Sequence, residues 1–254
     1  MQKIAFFFLS LCTLFYSLFG AYADTKEKVT FIGHRGYSFR YLENTEDAFT
    51  GAAKHGSGGA ETDVRVTKDG VLVCSHNSAA VMKDGTEMEI ADHTYAELTA
   101  QPLRNMKTFN NVYLCTFERY LEIMKENNMI CFVEFKGAFT EENILKAFNM
   151  AAEIYDLSRC PLQSYDMSNL VLAHALFPDL PVMLTCDEYD ADVEKALELG
   201  FSIDMDLHGL TRETVDKFHE AGLEVGAWTA NTRAQIAYCL SLGVDYIESD
   251  VYAS

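Results

Sequence analysis

The chain has 254 residues, a formal net charge of −18 and 49% apolar residues. This length suits one large domain, and the apolar content supports a sizeable core and argues against an intrinsically disordered chain. The acidic excess argues against a nucleic-acid partner, because phosphate backbones are bound by clustered Lys and Arg. An anionic substrate therefore requires local positive charge or a metal ion.

The first 23 residues have the pattern of a secretory signal peptide. Lys3 gives a positive start, the next 17 residues are apolar apart from Ser and Thr, and the triplet at 21–23 has the small-x-small form of a cleavage site. The expected cut follows Ala23, so the mature chain would begin at Asp24 and reach the periplasm or the extracellular space. An uncleaved membrane anchor is the alternative, although 17 apolar residues are short for a bilayer span.

Six cysteines follow this segment, and none forms a Cys-x-x-Cys pair. Several lie in apolar runs typical of strands, which favours buried free thiols. Export would place the chain in an oxidising compartment, where a disulfide is also possible. The pair that best fits a disulfide is Cys131 with Cys160, since both lie near the start of neighbouring predicted strands.

After residue 27 the chain alternates between short strand-like runs and amphipathic helical stretches. The β-rich runs are, in order, KVTFIG, GGAETDVRV, ICFVEFK, CPLQSY, PVMLTC, FSIDMDL, EVGAWTA and DYIES. Three of the helical stretches end at Gly200, Gly222 and Gly243, and another begins at Thr140. Strands that alternate with helices pair in parallel, and eight of them in one domain predict a closed (β/α)8 TIM barrel.

Two departures from this alternation are predicted. VLVCSHN, after an Asp69-Gly70 turn, is typical of a short extra strand behind the second barrel strand, and a polar loop follows as far as Met106. The last strand ends at Asp250, so the usual final helix is expected to be reduced. No linker, repeat or low-complexity segment indicates a second domain, and residues 24–254 are predicted to form one barrel.

Acidic residues end two of the predicted strands, and in such barrels the functional groups lie at the carboxyl ends of the strands. The second strand carries Glu61 and Asp63, and the third carries Glu134. Glu61 and Asp63 share a face of their strand, and two close carboxylates need a cation or a proton between them. The alternative is an exposed strand face, but Ala60 and Val64 favour an interior strand. Oxygen ligands without cysteine favour Ca2+ or Mg2+ over Zn2+.

Two cationic side chains and two histidines fall in the same region. Arg35 follows His34 at the end of the first strand, and Lys136 stands two residues after Glu134. Lys136 alone is typical of a solvated strand end, but beside Glu134 and Arg35 it predicts an anion clamp. His76 follows the extra strand. Two histidines near carboxylates suit paired acid and base roles, since imidazole titrates near neutral pH.

A series of short motifs carries a more specific signal through its order. The motifs are HRG, ENT leading to AF, ETDV, TKDG, SHN, VEFKG, QSYD, WTAN and GVDYIESD, and they run from Phe31 to Asp250. This ordered set resembles the glycerophosphodiester phosphodiesterase family. The resemblance implies a (β/α)8 barrel, one divalent ion, usually Ca2+ or Mg2+, and hydrolysis of glycerophosphodiesters to glycerol 3-phosphate and an alcohol.

The resemblance also implies roles for individual residues, in four groups. The metal ligands would be Glu61, Asp63 and Glu134. The acid/base pair would be His34 and His76. Among the substrate-binding residues, Arg35 and Lys136 would hold the phosphate, and Trp228 would face the glycerol or head group. The residues that organise the site would be Glu43, Asn44 and, beside the second histidine, Asn77.

The chain departs from the family pattern at Asn77, where an Asp usually follows the second histidine. Asn77 can hydrogen-bond His76 but carries no charge, so lower activity or a shifted pH optimum is expected. Leu42 replaces a usual Pro, and Tyr165 replaces a usual Phe. Both of these are mild changes.

Two other functions stay open. A phospholipase D-like hydrolase of lysolipids or sphingolipids shares this metal site, although no aromatic-rich amphipathic helix suggests membrane docking. The other is a catalytically silent barrel that binds phosphodiesters, which only Asn77 favours. The sequence predicts a small-molecule substrate. It leaves open the head group, the metal, the oligomeric state, and whether water or the glycerol hydroxyl attacks the phosphorus.

Overall fold

Eight parallel strands close into a barrel in the computed structural model, which describes residues 29–251. The strands of the described chain are β1 (Thr30–Gly33), β2 (Gly59–Val66), β3 (Leu72–Cys74), β4 (Ala79–Val81), β5 (Glu87–Glu89), β6 (Ile130–Phe135), β7 (Leu162–Ser164), β8 (Val182–Cys186), β9 (Ser202–Asp206), β10 (Val225–Trp228) and β11 (Tyr246–Ser249). The barrel order is β1-β2-β6-β7-β8-β9-β10-β11, and β1 closes it by pairing with both β2 and β11. Each predicted β-rich run contains one barrel strand, so the predicted (β/α)8 fold is confirmed.

Helices follow the barrel strands, and each begins at a Thr or Asp whose side chain accepts a backbone N–H. The helices of the described chain are α1 (Glu46–His55), α2 (Tyr95–Leu98), α3 (Phe117–Glu126), α4 (Glu141–Ile154), α5 (Met167–Leu176), α6 (Ala191–Leu199), α7 (Arg212–Glu220) and α8 (Arg233–Leu242). The predicted cap Thr140 accepts from the N–H of Asn143, an interaction that stabilises a helix by about 1 kcal/mol. Gly200 and Gly243 end α6 and α8 in the left-handed conformation, as predicted.

The predicted extra strand is confirmed as β3, which pairs antiparallel with the end of β2. The polar loop predicted after it is more ordered than expected, because β4 and β5 form a hairpin and the segment has a small core of its own. That core consists of Val73, Ala80, Met82, Ile90, Leu98, Leu103, Val112 and Leu114. These apolar residues are too widely spaced in the sequence to produce a helical or strand period.

The barrel interior is apolar at its amino-terminal end and polar above it. Ile32, Phe132 and Met183 are buried together at the apolar end. Above them Gln163 donates hydrogen bonds to Asp204 at 2.8 Å and to Glu248 at 3.0 Å. These three residues come from β7, β9 and β11, which are not neighbours, so their hydrogen bonds cross the interior. Burial, and then the neighbouring carboxylates, raise the pKa of Asp204 and Glu248 well above their ordinary values.

Gly226 leaves the space that the Asp204 carboxylate occupies, since a Cβ at Gly226 would lie 2.2 Å from Asp204 Oδ1. We expect Gly226→Ala to lower the free energy of unfolding by about 1–3 kcal/mol, the range for overpacked cores. Urea denaturation measures this loss. If steric contact with Asp204 is the cause, Gly226→Ala is less destabilising in an Asp204→Ser background. Purely additive effects would contradict this explanation.

Several predictions concern residues at or beyond the limits of the described chain. The signal peptide at 1–23 lies outside the described residues, as does most of the reduced final helix expected after Asp250, so both stay predictions. Within residues 29–251, none of the helices has the length and apolarity needed to cross a bilayer.

All six described cysteines are buried free thiols, as the apolar runs indicated. Burial, and then contact with the Cys160 thiol, raise the pKa of Cys131 well above its ordinary value. The two residues are thus neighbours, as predicted from their places near the starts of adjacent strands. No disulfide joins them in this structure, in agreement with the favoured prediction of free thiols.

Candidate active site

A cavity of about 180 Å3 opens at the carboxyl ends of the barrel strands. Its lining residues are His34, Arg35, His76, Glu134, Lys136, Tyr165, Thr185, Asp204, Trp228 and Glu248. Both predicted histidines, both predicted phosphate-binding cations and the predicted head-group residue therefore face one space. Sequence reasoning missed three members of the lining, Thr185, Asp204 and Glu248.

The turn after β1 holds His34 and Arg35 in place with an unusual backbone. Arg35 has a φ of 55° and Asn44 a φ of 57°, a left-handed conformation that costs about 1–3 kcal/mol in residues other than glycine. Two hydrogen bonds stabilise it, since the Arg35 N–H donates to Glu61 Oε2 at 2.8 Å and the Arg35 carbonyl accepts from the Asn44 N–H at 3.1 Å. Gly36 completes the turn, because a Cβ there would lie 2.6 Å from the Ala48 backbone.

Asn44 and Glu43 lie where they can orient the residues around them. Buried Asn44 donates from Nδ2 to Asp63 Oδ2 at 2.7 Å and accepts at Oδ1 from the hydroxyl of Thr62 and the N–H of Asp63. The Glu43 carboxylate accepts from Arg35 Nη1 at 3.3 Å. Asn44 thus fixes the Asp63 carboxylate, and Glu43 restrains the guanidinium. This placement suits the organising role implied for both.

Glu61, Asp63 and Glu134 form a compact acidic cluster, with their ligand atoms within 4.8 Å of one another. Glu61 Oε1 is buried and accepts no hydrogen bond. Lys136 Nζ lies 3.0 Å from Asp63 Oδ1 and 2.6 Å from Glu134 Oε1. Three carboxylates, one with an unpartnered buried oxygen, fit a hard cation such as Ca2+ or Mg2+.

Burial and the close approach of the three carboxyl groups shift their pKa values. Burial, and then repulsion by Asp63, raise the pKa of Glu61 well above its ordinary value. Burial also raises the pKa of Glu134, although Lys136 opposes it. Burial alone would raise the pKa of Asp63, but Lys136 and Arg35 hold it below its ordinary value. A bound cation would relieve the repulsion that remains between the carboxylates.

His34 is paired with an ionised carboxylate that sequence reasoning did not assign to the site. His34 Nδ1 lies 2.8 Å from Asp250 Oδ1, and Asp250 also accepts from Ser38 Oγ at 2.7 Å and from Asn231 Nδ2 at 2.6 Å. Burial alone would raise the pKa of Asp250, but these hydrogen bonds, that of His34 foremost, hold it well below its ordinary value. Ionised Asp250 therefore keeps the proton on Nδ1 and leaves Nε2 free.

His76, on the loop after β3, has a neutral partner instead. Its Nδ1 lies 3.2 Å from Asn77 Oδ1, so Asn77 supplies the hydrogen bond, without the charge, that the family Asp would provide. Burial lowers the pKa of His76, although the charge of Asp63 opposes the shift. The two histidines thus differ in the charge that supports them.

Trp228 and Tyr165 form one wall of the cavity. The Trp228 indole donates to the carbonyl of Asp204 at 3.1 Å, and its ring meets Tyr165 edge-on with centroids 6.3 Å apart. The Tyr165 hydroxyl donates to Asp187 Oδ1 at 2.7 Å. These contacts fix two aromatic rings in the lining of the cavity that His34 and His76 also line.

A larger cavity of about 380 Å3 adjoins the first and shares His76 with it. The segment after β3 forms much of its wall, through Ala80, Val81, Leu103 and Leu114. Arg104 and Lys107 are its cationic members. His76 therefore stands between a polar space rich in charges and a larger, mostly apolar one.

A TIM barrel with acidic, cationic and histidine side chains around one cavity can hold a cation and an anionic group and can transfer protons, as the hydrolysis of a phosphate ester requires. The profile of the glycerophosphoryl diester phosphodiesterase family matches residues 34–253. The chain therefore belongs to that family, and the resemblance noted from its motifs is confirmed.

Relatives and solved structures agree with this assignment. A glycerophosphodiester phosphodiesterase of Bacillus altitudinis is 27% identical over 226 residues, which cover 85% of this chain and 92% of the relative. The crystal structure of a glycerophosphodiester phosphodiesterase from Parabacteroides distasonis is 25% identical, with a TM-score of 0.71 and coverage of 88% and 93%. An Oleispira antarctica phosphodiesterase, solved with its product sn-glycerol-3-phosphate, shares the fold at 21% identity, with a TM-score of 0.80 and coverage of 89% and 94%.

Proposed function

We propose that this phosphoric diester hydrolase cleaves glycerophosphodiesters to glycerol 3-phosphate and an alcohol, with His34 and His76 as the proton-transfer pair. The observation that carries the proposal is the single cavity lined by both histidines, Arg35 and Lys136 beside the acidic cluster. The family membership supports the reaction class. The complex of the Oleispira relative with sn-glycerol-3-phosphate supports the product.

Arg35 and Lys136 would bind the phosphate. Both side chains line the cavity, and each also faces Asp63, at 3.5 Å from Arg35 Nε and 3.0 Å from Lys136 Nζ. Burial alone would lower the pKa of each, but the nearby carboxylates raise it above its ordinary value. Both cations therefore stay charged over the physiological pH range and present a local positive surface in an acidic protein.

His34 is assigned the role of general base. Asp250 holds the proton on Nδ1, so Nε2 can accept a proton from the attacking hydroxyl, and the Asp250 charge stabilises the imidazolium that forms. The attacking group is water or a glycerol hydroxyl. In the second case a cyclic phosphate forms first, and water then opens it.

His76 is assigned the role of general acid. It stands at the boundary with the larger cavity, where the departing alcohol would lie, and it would protonate the alkoxide as the phosphorus–oxygen bond breaks. Glu61, Asp63 and Glu134 would hold one Ca2+ or Mg2+, which when bound offsets negative charge on the phosphoryl oxygens.

Phosphorus NMR of the purified protein tests this function. Glycerophosphocholine and glycerophosphoethanolamine should each yield the signal of glycerol 3-phosphate, and a chelator should prevent it. A cyclic phosphate signal during the reaction would identify the glycerol hydroxyl as the first nucleophile. If no diester is cleaved while the phosphodiester still binds, the protein is a silent binding barrel.

A lysolipid is the second candidate substrate. The mostly apolar lining of the larger cavity favours it, because an acyl chain gains from burial against Leu103 and Leu114. In that orientation the acylated glycerol, and not the departing alcohol, would enter the larger cavity. The same NMR assay with lysophosphatidylcholine decides between a lysolipid and a glycerophosphodiester as the preferred substrate. Faster release of lysophosphatidate than of glycerol 3-phosphate would make the protein a phospholipase D-like hydrolase.

Asn77→Asp tests the assignment of His76. A carboxylate beside Nδ1 stabilises the imidazolium and raises the pKa of His76, which burial now lowers. A general acid works protonated, so a higher pKa extends activity upward and the alkaline limb of the kcat profile should move to higher pH. Asn77→Ala is the matched control, since it removes the hydrogen bond without adding charge and should not move that limb upward. An upward move of the acidic limb instead would make His76 the base.

A further inference from the structure

We propose that the barrel contains a second divalent cation site, formed by His34, Glu61 and Glu248. The ligand atoms of these three residues lie within 4.8 Å of one another. Glu61 belongs both to this group and to the acidic cluster with Asp63 and Glu134, so its carboxylate would bridge two ions. The inference goes beyond the proposed function, which uses one ion only.

An unpartnered buried oxygen supports a ligand at this position. Glu61 is 2% exposed, and while its Oε2 accepts the Arg35 N–H, its Oε1 has no hydrogen-bond donor. Buried polar atoms are almost always paired in folded proteins. A cation bound between Glu61 and Glu248 would supply the missing positive charge.

The charges of the barrel interior also favour a second cation. The buried carboxyl groups around the cavity belong to Glu61, Asp63, Glu134, Asp204 and Glu248. Only Arg35 and Lys136 oppose them from the cavity wall. A cation between Glu61 and Glu248 would offset the repulsion among these carboxylates.

The donor set indicates which ion the second site prefers. His34 donates its Nδ1–H to Asp250, and metal-bound histidines commonly donate their other N–H to a carboxylate in this way. Nε2 is then free to bind the ion, together with one oxygen each from Glu61 and Glu248. One nitrogen and two carboxylates suit Zn2+ or Mn2+, whereas the all-carboxylate cluster suits Ca2+ or Mg2+.

Occupation of this site has a consequence for turnover. A cation on Nε2 of His34 takes the lone pair that would otherwise accept a proton. The second site and proton transfer by His34 are therefore mutually exclusive, and Zn2+ should inhibit hydrolysis that Ca2+ or Mg2+ supports.

Calorimetric titration of the Ca2+-saturated protein with Zn2+ tests the site without reference to activity. We expect one Zn2+ to bind to the wild type, and Glu248→Gln to weaken that binding at least about tenfold, since a ligand should matter at least as much as a group that only supports one. The Zn2+ inhibition constant should rise by the same factor. Asp206→Asn is the matched control, because Asp206 lies on β9 and pairs with His208 outside the cavity lining.

Equal Zn2+ affinity in the wild type and Glu248→Gln would overturn the proposal. If Glu248→Gln does not fold, a wild-type crystal soaked in Zn2+ gives the answer through anomalous scattering. A peak between His34 and Glu248 supports the site, and a peak only among Glu61, Asp63 and Glu134 refutes it. Both measurements concern binding, so a failure of the proposed hydrolysis would leave their outcome readable.

Discussion

His34→Ala should lower kcat for glycerophosphodiesters by at least about 10²-fold, the lower range for the loss of a positioned base. The reason is geometric, since His34 is the histidine in the cavity whose proton position is fixed by an ionised carboxylate. Binding of a non-hydrolysed phosphodiester should change far less, because Arg35 and Lys136 remain. Steady-state kinetics and calorimetry measure the two effects. Equal losses in binding and in kcat would mean that His34 only shapes the cavity.

Asp250→Asn separates positioning from chemistry. Asn retains an oxygen near Nδ1 but removes the charge, so kcat should fall at least about tenfold while KM stays nearly constant. In the His34→Ala background the same change should have little further effect, because Asp250 acts through His34. Ser38→Ala is the matched control, as it removes another hydrogen bond to Asp250. A larger loss from Ser38→Ala than from Asp250→Asn would show that the carboxylate only supports the loop.

Removal of divalent ions should lower kcat by at least about 10²-fold, and Ca2+ or Mg2+ should restore it. A bound cation contributes several kcal/mol of charge stabilisation to a phosphoryl transition state, and each 1.36 kcal/mol corresponds to about a factor of ten. Activity assays after exhaustive dialysis against chelator measure the loss. Turnover that survives this treatment would contradict the role assigned to the cluster.

The affinity for that cation should rise with pH. Burial and Asp63 raise the pKa of Glu61 well above its ordinary value, so without metal this group still holds a proton where an exposed glutamate does not. The cation must displace that proton, and binding therefore strengthens as the pH rises toward the pKa of Glu61. Calorimetry in buffers of different ionisation enthalpy counts the released proton. Glu61→Gln should abolish both the release and the tight binding.

The sequence predicts the barrel well because its signal is local. Each strand is a short apolar run, each helix begins at a Thr or Asp, and the alternation of the two specifies parallel pairing. Two-residue spacing also placed Glu61 with Asp63 and Glu134 with Lys136, and the structure brings these four side chains together. The roles of those residues stay predictions.

The missed residues depend on contacts between distant parts of the chain. His34 and Asp250 are 216 residues apart, so no local pattern connects them. Asp204 and Glu248 lie inside strands that sequence reasoning treated only as barrel walls. Their inward direction follows from the hydrogen bonds of Gln163 across the interior. Similarly, the core of the segment after β3 forms from residues too sparse to give a period.

Because β1 pairs with β11, the surroundings of His34 are completed only by the last strand. The N–H of His34 donates to the carbonyl of Ser249 at 3.0 Å, and Asp250 follows directly. During synthesis, His34 therefore has no Asp250 to pair with until the ribosome has added 216 further residues. Nascent chains that stop before β11 should be inactive even with seven strands made, so the onset of hydrolysis during translation would report the moment at which the barrel closes.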